Sequence, residues 1–158
     1  MISRMKKETG IKIIANNKKA YFNYFLSDFT ECGIALTGTE IKSLRVNGAT
    51  MIDSYVVFRN LEAELINLHI SAYKEGNIFN HEPSRTRKLL LHKKEIRWFV
   101  QKVKAEGYTV VPTKIYFRKG LAKVEIALAK GKKLHDKRES EKERDDKRMM
   151  DKVIKSQY

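Results

Sequence analysis

The sequence predicts a mainly β domain with a few flanking helices, followed by a tail of different character. Three observations carry this. Apolar and β-branched runs bracket two-residue turns at two places. Two other stretches place apolar residues at helical spacing between capping signals. After Ala129 the apolar content falls and charged residues take over. The 158 residues suit one domain of ordinary size, and a composition 42% apolar is enough to fill a core.

In chain order, Tyr21 to Phe29 is aromatic-rich and lacks Pro and Gly, which predicts a strand. Gly33 to Leu36 continues it beyond a bend or bulge. Thr37-Gly38-Thr39-Glu40 has the Thr-x-x-Glu spacing of a capping box. Ile41 and Leu44 then share a helix face, and Gly48 is a stop. Asp53 to Arg59 and Glu62 to Ile70 flank Asn60-Leu61 as a hairpin. Tyr73 to Arg87 is a long polar connection containing Pro83, of the length that functional loops have. Lys93 to Glu106 is a second helix, because Ile96, Phe99, Val100 and Val103 fall at i, i+3, i+4 and i+7. Gly107 ends it. Tyr108 to Arg118 and Leu121 to Ala129 form another hairpin around Lys119-Gly120. Five or six antiparallel strands with two or three helices fit an OB-like β-barrel, since closure removes exposed edges. The predicted body is residues 1–129.

The tail, residues 130–158, holds eight Lys, three Arg and seven acidic residues, a net of +4. The body therefore carries +10 of the chain's +14. Alone, such a segment buries too little surface to offset its ordering entropy and is expected to be disordered. Its Lys, Arg, Glu and Met content nevertheless suits a helix. Glu143–Lys147 and Asp151–Lys155 are favourable i, i+4 pairs, and Met149, Met150, Val153 and Ile154 make an apolar patch. The expectation is a flexible tail that becomes helical against a partner.

A net charge of +14 opposes compaction unless a polyanion neutralises it. Nucleic acid is the first such partner and a membrane surface the second. No apolar run approaches the ~20 residues of a membrane span. Met1 to Lys7 is followed by no apolar stretch of a secretory leader. The single cysteine, Cys32, cannot form an internal disulfide, which fits a reducing cytoplasm.

Little points to catalysis. The histidines at 69, 81, 92 and 135 are scattered and none pairs with Cys at ligand spacing, so no metal is expected. There is no Gly-x-Ser-x-Gly and no glycine-rich phosphate loop. Asp28, Glu31, Glu40 and Asp53 lack the context of an acid–base pair. The expectation is a binding protein without enzymatic activity or cofactor. Basic patches carry more. Lys18-Lys19 precedes Tyr21-Phe22 and Tyr24-Phe25, and Lys42 and Arg45 lie off the Ile41/Leu44 face. Arg85-Thr86-Arg87-Lys88 precedes Leu89 to Leu91, and Lys93, Lys94, Lys102 and Lys104 line the outer face of the long helix. Cations beside aromatics supply phosphate contacts and stacking for unpaired bases. Each patch alone could be core aromatics beside solvated lysines. Together with the net charge they favour RNA.

Several motifs then occur in a familiar order. Asn17-Lys18-Lys19-Ala20, Tyr24-Phe25 and Gly38-Thr39-Glu40-Ile41-Lys42-Ser43-Leu44-Arg45 come first. Asp53-Ser54-Tyr55, Asn80-His81-Glu82-Pro83 and Arg85-Thr86-Arg87-Lys88-Leu89-Leu90-Leu91 follow. Gly107-Tyr108, Val111-Pro112, Ala129-Lys130-Gly131-Lys132-Lys133 and Asp136-Lys137-Arg138 complete the series. From residue 11 to 158 the chain resembles the SsrA-binding protein (SmpB) family. The resemblance implies an OB-like barrel that binds the tRNA-like domain of transfer-messenger RNA. It implies delivery of that RNA to the vacant A site of a stalled ribosome, where the protein stands in for the missing codon–anticodon stem and performs no chemistry. It places Asn17, Tyr24, Glu31 and Arg85-Thr86-Arg87-Lys88 on the RNA-binding side, beside the basic residues Lys18, Lys19, Lys42 and Arg45. Glu31 would accept hydrogen bonds from base amino groups or ribose hydroxyls, or orient a basic neighbour. Lys132, Lys133, His135, Asp136, Lys137 and Arg138 map to the segment that reaches the small-subunit RNA of the decoding centre. The rest of the tail, with Val153 and Ile154, would be a helix in the empty mRNA channel. The protein would act as a monomer. The chain departs from the family pattern at Cys32, where Ala is usual, and at Thr37, where Gln is frequent. A general OB-fold RNA- or ribosome-binding protein with another RNA target is the competing reading.

Overall fold

The computed structural model describes residues 10–76 and 80–157. Met1 to Lys7 lies outside the described residues, as do the side chains of Val153 and Ile154. The first strand, β1 (Ile11–Asn16), leads into a short helix α1 (Lys18–Asn23) and a long strand β2 (Tyr24–Ile34). Helix α2 (Gly38–Asn47) precedes the hairpin β3 (Tyr55–Arg59) and β4 (Glu62–Ile66). Then come β5 (Arg87–Leu90), helix α3 (Lys93–Glu106), the hairpin β6 (Thr109–Arg118) and β7 (Leu121–Gly131), and helix α4 (Leu134–Gln157).

All pairings are antiparallel, and they close into a ring β3–β4–β5–β2–β7–β6, with β6 returning to β3 through Val56 opposite Val110. This is the closed OB-like sheet expected from sequence. β6 is long enough to share one edge: β3 meets it at Val110, and β1 pairs along Lys114 to Arg118. Inside the ring, Leu65, Leu68, Ile70, Leu89, Val110, Ile115, Val124, Ile126 and Leu128 are buried. Leu44 of α2 and Phe99 of α3 join this core, and Phe58 stacks on Phe99 at 5.8 Å. A smaller cluster of Ala20, Val111 and Ala129 sits under α1.

Both hairpin turns have the predicted residues at positive φ: Asn60 and Leu61 at 51° and 59°, Lys119 and Gly120 at 51° and 77°. Two consecutive positive φ values define a turn whose twist matches that of its strands. α2 carries the full capping box, in which the Thr37 side chain accepts from the Glu40 N–H and the Glu40 carboxylate accepts from the Thr37 N–H. Gly107 closes α3 at φ 70°.

The strand predicted over Tyr21 to Phe29 is corrected: its first residues are helical. Asn17 is the reason, because its side-chain oxygen accepts from the Ala20 N–H at 3.2 Å and starts α1. The bulge in β2 falls between Ser27 and Thr30, with Asp28 at φ 54°, and not between Phe29 and Gly33. β4 stops at Ile66, and His69 makes an isolated bridge to Thr50 instead of extending the strand. β7 runs past Ala129 to Gly131, and the chain beyond is helical from Leu134.

Candidate nucleic-acid interface

α1 is six residues long and is fastened from below. The Asn17 amide donates to the Pro112 carbonyl at 2.8 Å, and its backbone N–H donates to Thr113. Asn17 is itself buried, so it builds this surface from inside. Lys18 and Lys19 stand exposed on α1, and Lys19 pairs with Asp53 at 3.8 Å. Between α1, the start of β3 and β6 lies a cleft of about 210 Å³, lined by Asn17, Lys19, Tyr24, Tyr55, Thr109 and Val111. The structure therefore brings Asn17, Lys19 and Tyr24 together, and adds Tyr55 to them.

The Arg85–Lys88 segment divides in two. Arg87 is fully buried, and so is its partner Glu40. Arg87 donates to Glu40 and to the carbonyls of Leu68, Arg85 and Pro83. Arg85 forks onto the same carboxylate and also donates to the Ala35 carbonyl at 3.3 Å. Burial disfavours the charged form of Glu40. The hydrogen bonds from Arg85, from the Thr37 N–H and from Arg87 outweigh burial and hold its carboxyl below the usual range. Glu40 is thus a buried ionic hub that ties α2 to the entrance of β5, which its capping role alone did not reveal. Arg85 is partly exposed at that hub, and Lys88 points outward to Glu62 at 3.2 Å. The loop before it is pinned as well. Asn80 accepts from the Tyr73 N–H, and His81 bridges Thr39 and the Ile70 carbonyl at 2.9 and 2.8 Å.

Lys42 and Arg45 lie on α2, at the other end of β2 from α1. Lys42 sits 5.9 Å from the Tyr73 ring, and Arg45 covers Phe117 at 5.0 Å. Neither cation lines the cleft beside α1.

Glu31 lies on the outer face of β2. Tyr116 donates its hydroxyl to Glu31 Oε2, and Arg118 pairs with the same oxygen at 3.1 Å. The Tyr116 hydrogen bond, with Arg118 behind it, holds the Glu31 carboxyl below its ordinary value despite some desolvation. Tyr116 responds oppositely, its hydroxyl pushed up by burial and by the Glu31 charge. Lys114 pairs with Glu125 at 3.5 Å and lies 5.9 Å from the Tyr116 ring.

The tail begins against α1. The Lys132 N–H donates to the Asn23 carbonyl at 2.9 Å, and its ammonium donates to the Tyr21 carbonyl and to Ser140. The same ammonium lies 5.2 Å from the Phe25 ring. The Lys133 N–H donates to Asp136, which closes the first turn of α4. Lys137 and Arg144 both approach Phe22 at 5.9 Å. Lys133, His135 and Arg138 are exposed, and His135 is 3.6 Å from Asp136. Beyond Ser140 the described side chains of α4 are exposed. α1 is therefore where the body cluster and the root of the tail meet.

Sequence reasoning missed α1 as an element, and with it the arrangement of Tyr21, Phe22, Phe25 and Phe29. An Asn followed by Lys-Lys-Ala was the available signal. Cys32 lies in the core and donates to the Val124 carbonyl at 3.3 Å. Burial pushes its thiol up to about 12, so it stays protonated and unreactive. Thr37, the other departure, supplies the α2 cap.

The chain matches the model of the SmpB protein family over residues 14–156. The SsrA-binding protein of Trichodesmium erythraeum is 54% identical over 151 residues, covering 95% of this chain and 97% of that protein. That of Geotalea uraniireducens is 56% identical over 134 residues, covering 85% and 89%. That of Fervidobacterium nodosum is 53% identical over 146 residues, covering 92% and 98%. A solved chain described as "tmRNA-SmpB: a journey to the center of the bacterial ribosome" is 45% identical, with a TM-score of 0.64 over 76% of this chain and 85% of that one. No described helix is long and apolar enough to cross a membrane.

Proposed function

The chain belongs to the SmpB family, and from that premise we propose that it binds the tRNA-like domain of transfer-messenger RNA and brings it to ribosomes stalled without a stop codon. The barrel holds the RNA by shape and phosphate contacts, as A-form and tRNA-like RNAs are generally held. The segment Lys132 to Arg138 meets the small-subunit RNA at the decoding centre. The rest of α4, residues 139–157 and about 28 Å long, enters the mRNA channel only where no mRNA occupies it. The tail thereby tests the channel for vacancy by competing for space. The protein supplies position and charge, and no bond is made or broken by it.

The observation that carries this reading is the family match over nearly the whole chain, tail included. The meeting of Lys18, Lys19 and the adjoining Tyr24 with the tail root at one short helix supports a division of labour between connected parts. Filter binding to the tRNA-like domain across a salt series tests it. Tight binding that weakens steeply with salt is expected. Equal affinity for an unrelated duplex of the same length would overturn specific recognition and favour a general RNA-binding role. A chain ending at Gly131, which keeps all of β7, is expected to retain the RNA and lose tagging on stalled ribosomes. Loss of RNA binding in that variant would refute the division between body and tail. Incubation with the RNA and a divalent metal is expected to leave the RNA intact.

A further inference from the structure

The root of the tail has two sides. Lys133, His135 and Arg138 are exposed, whereas Lys132, Asp136 and Lys137 are half-buried. Lys132 is held at three points. Its N–H donates to the Asn23 carbonyl at 2.9 Å, and its ammonium donates to the Tyr21 carbonyl at 3.2 Å and to Ser140 Oγ at 2.8 Å. Tyr21 and Asn23 stand in the last turn of α1, where carbonyls lack an intrahelical partner. That turn has no basic residue of its own, so Lys132 supplies the cation that often covers such carbonyls. Ser140 in turn donates to the Asp136 carbonyl at 3.0 Å, which orients its hydroxyl toward the ammonium. Lys137, Ser140 and Arg144 follow at i, i+3 and i+7, one stripe of α4. That stripe faces α1. Lys137 and Arg144 each lie 5.9 Å from the Phe22 ring, and a cavity of about 200 Å³ is lined by Ser140, Arg144, Lys18, Tyr21 and Phe22. His135 precedes Arg144 by about two and a half turns at 3.6 residues per turn, which puts it on the far side of the helix.

Only Lys132 and Lys133 separate the end of β7 from the start of α4. Whatever fixes those two residues therefore fixes where α4 points. Small errors there grow along the helix. Asp151 lies about 26 Å from the start of α4, so a swing of about 15° at the root moves it by about 7 Å. A lysine that meets phosphates is a mobile, hydrated cation. The Lys132 ammonium instead has two of its three donors committed within the protein. We propose that Lys132 is a positioning residue: it brackets the end of α1 to the second turn of α4 through Tyr21 and Ser140, and so aims α4, in place of contacting ribosomal RNA. Lys137 and Arg144 hold the same side through Phe22. The contacts are few and lie near the surface, so they select a direction while adding little to the stability of the barrel. This rests on the ribosome partner proposed above and removes Lys132 from the residues that touch it.

The test uses the full chain, first without RNA. Spin labels are placed by Lys104→Cys on α3 and Asp151→Cys on α4, both exposed positions, while the buried Cys32 stays unlabelled. Pulsed electron resonance then reads the distance between body and tail. A single dominant distance is expected with Lys132 in place. Lys132→Met is expected to broaden the distribution by about 7 Å or more, the displacement of a root freed to swing by about 15°. Ser140→Ala, which removes no charge, is expected to broaden it in the same way, and Lys133→Met is expected to leave it unchanged. An unbroadened distribution in Lys132→Met overturns the bracket. Should Lys132→Met fold poorly, the Ser140→Ala distances decide. Binding to stalled ribosomes with the tRNA-like RNA is then measured across a salt series. Lys132→Met is expected to weaken it about threefold, the scale of one lost surface contact, with the salt slope kept. A slope lowered by about one would identify Lys132 as a phosphate contact and overturn the proposal. If the wild-type protein itself fails to bind stalled ribosomes, the partner is refuted, and the distances in the free protein still decide whether Lys132 aims α4.

Discussion

The barrel and the terminal helix are held by different physics. In the barrel, each of the six ring strands is paired on both edges, the interior is filled, and even its ionic hub at Glu40 is buried with Arg87. α4 has its backbone bonds within itself and meets the body mainly through Lys132, Lys137, Ser140 and Arg144 near Phe22 and Tyr21. Exposed cation–aromatic contacts of that kind contribute about 0.5–1 kcal/mol each, against about 1.5–3 kcal/mol for one buried aliphatic side chain. The barrel is thus a fixed object, and the helix is a segment whose orientation costs little to change. That contrast supports the proposed division between a part that grips RNA and a part that explores a channel.

The contrast can be broken most sharply at Glu40. Glu40→Gln leaves two guanidinium groups facing a neutral amide and is expected to cost about 3–5 kcal/mol, as loss of one partner of a buried ion pair does. Urea unfolding of the variant measures it, and a cost below about 1 kcal/mol would mean the hub does not hold the barrel. The helicity of α4 by circular dichroism should not change in the folded variant.

Acid probes the same residue. Glu40 has a carboxyl held below its ordinary value, so its contribution to stability is complete above the unfolded carboxylate value. It is lost as pH falls through the lower folded value. Glu31 acts in the same direction, discounted because it is about a third exposed. Unfolding followed between pH 6 and pH 3 should show the wild type losing more stability than Glu40→Gln. Parallel profiles would show that the hub does not titrate with folding.

A smaller effect is expected at the α2 cap. Thr37→Ala removes a side-chain acceptor from the helix start and should cost about 1 kcal/mol, while Thr37→Ser should restore most of it. The smallest stability effect belongs to the tail root. Ser140→Ala removes the partner of Lys132 in a partly exposed site and should change body stability by less than about 0.5 kcal/mol. Its readout is the amide exchange of the first turns of α4, which should quicken. A loss of several kcal/mol there would erase the distinction between the two regions.

Elements whose signals are local were legible in the residues alone. Capping at Thr37, the stripe of Ile96, Phe99 and Val103, and the turns at Asn60-Leu61 and Lys119-Gly120 depend on neighbours a few residues apart, and they stand where pattern placed them. The change of character after Ala129 was equally legible, because composition needs no partner. Tertiary structure decided what depends on distant residues. α1 forms inside an aromatic run because Asn17 is anchored by Pro112 and Thr113, nearly a hundred positions away. Glu40 reads as a cap in sequence and becomes an ionic hub because Arg85 and Arg87 arrive from across the fold. Glu31 gains its fixed orientation from Tyr116 and Arg118, and Phe29 gains its outward face from one inserted residue in β2. Hydrogen bonds and ion pairs reach only a few ångströms, so they reward whatever the closed barrel brings close, and sequence separation does not encode that proximity.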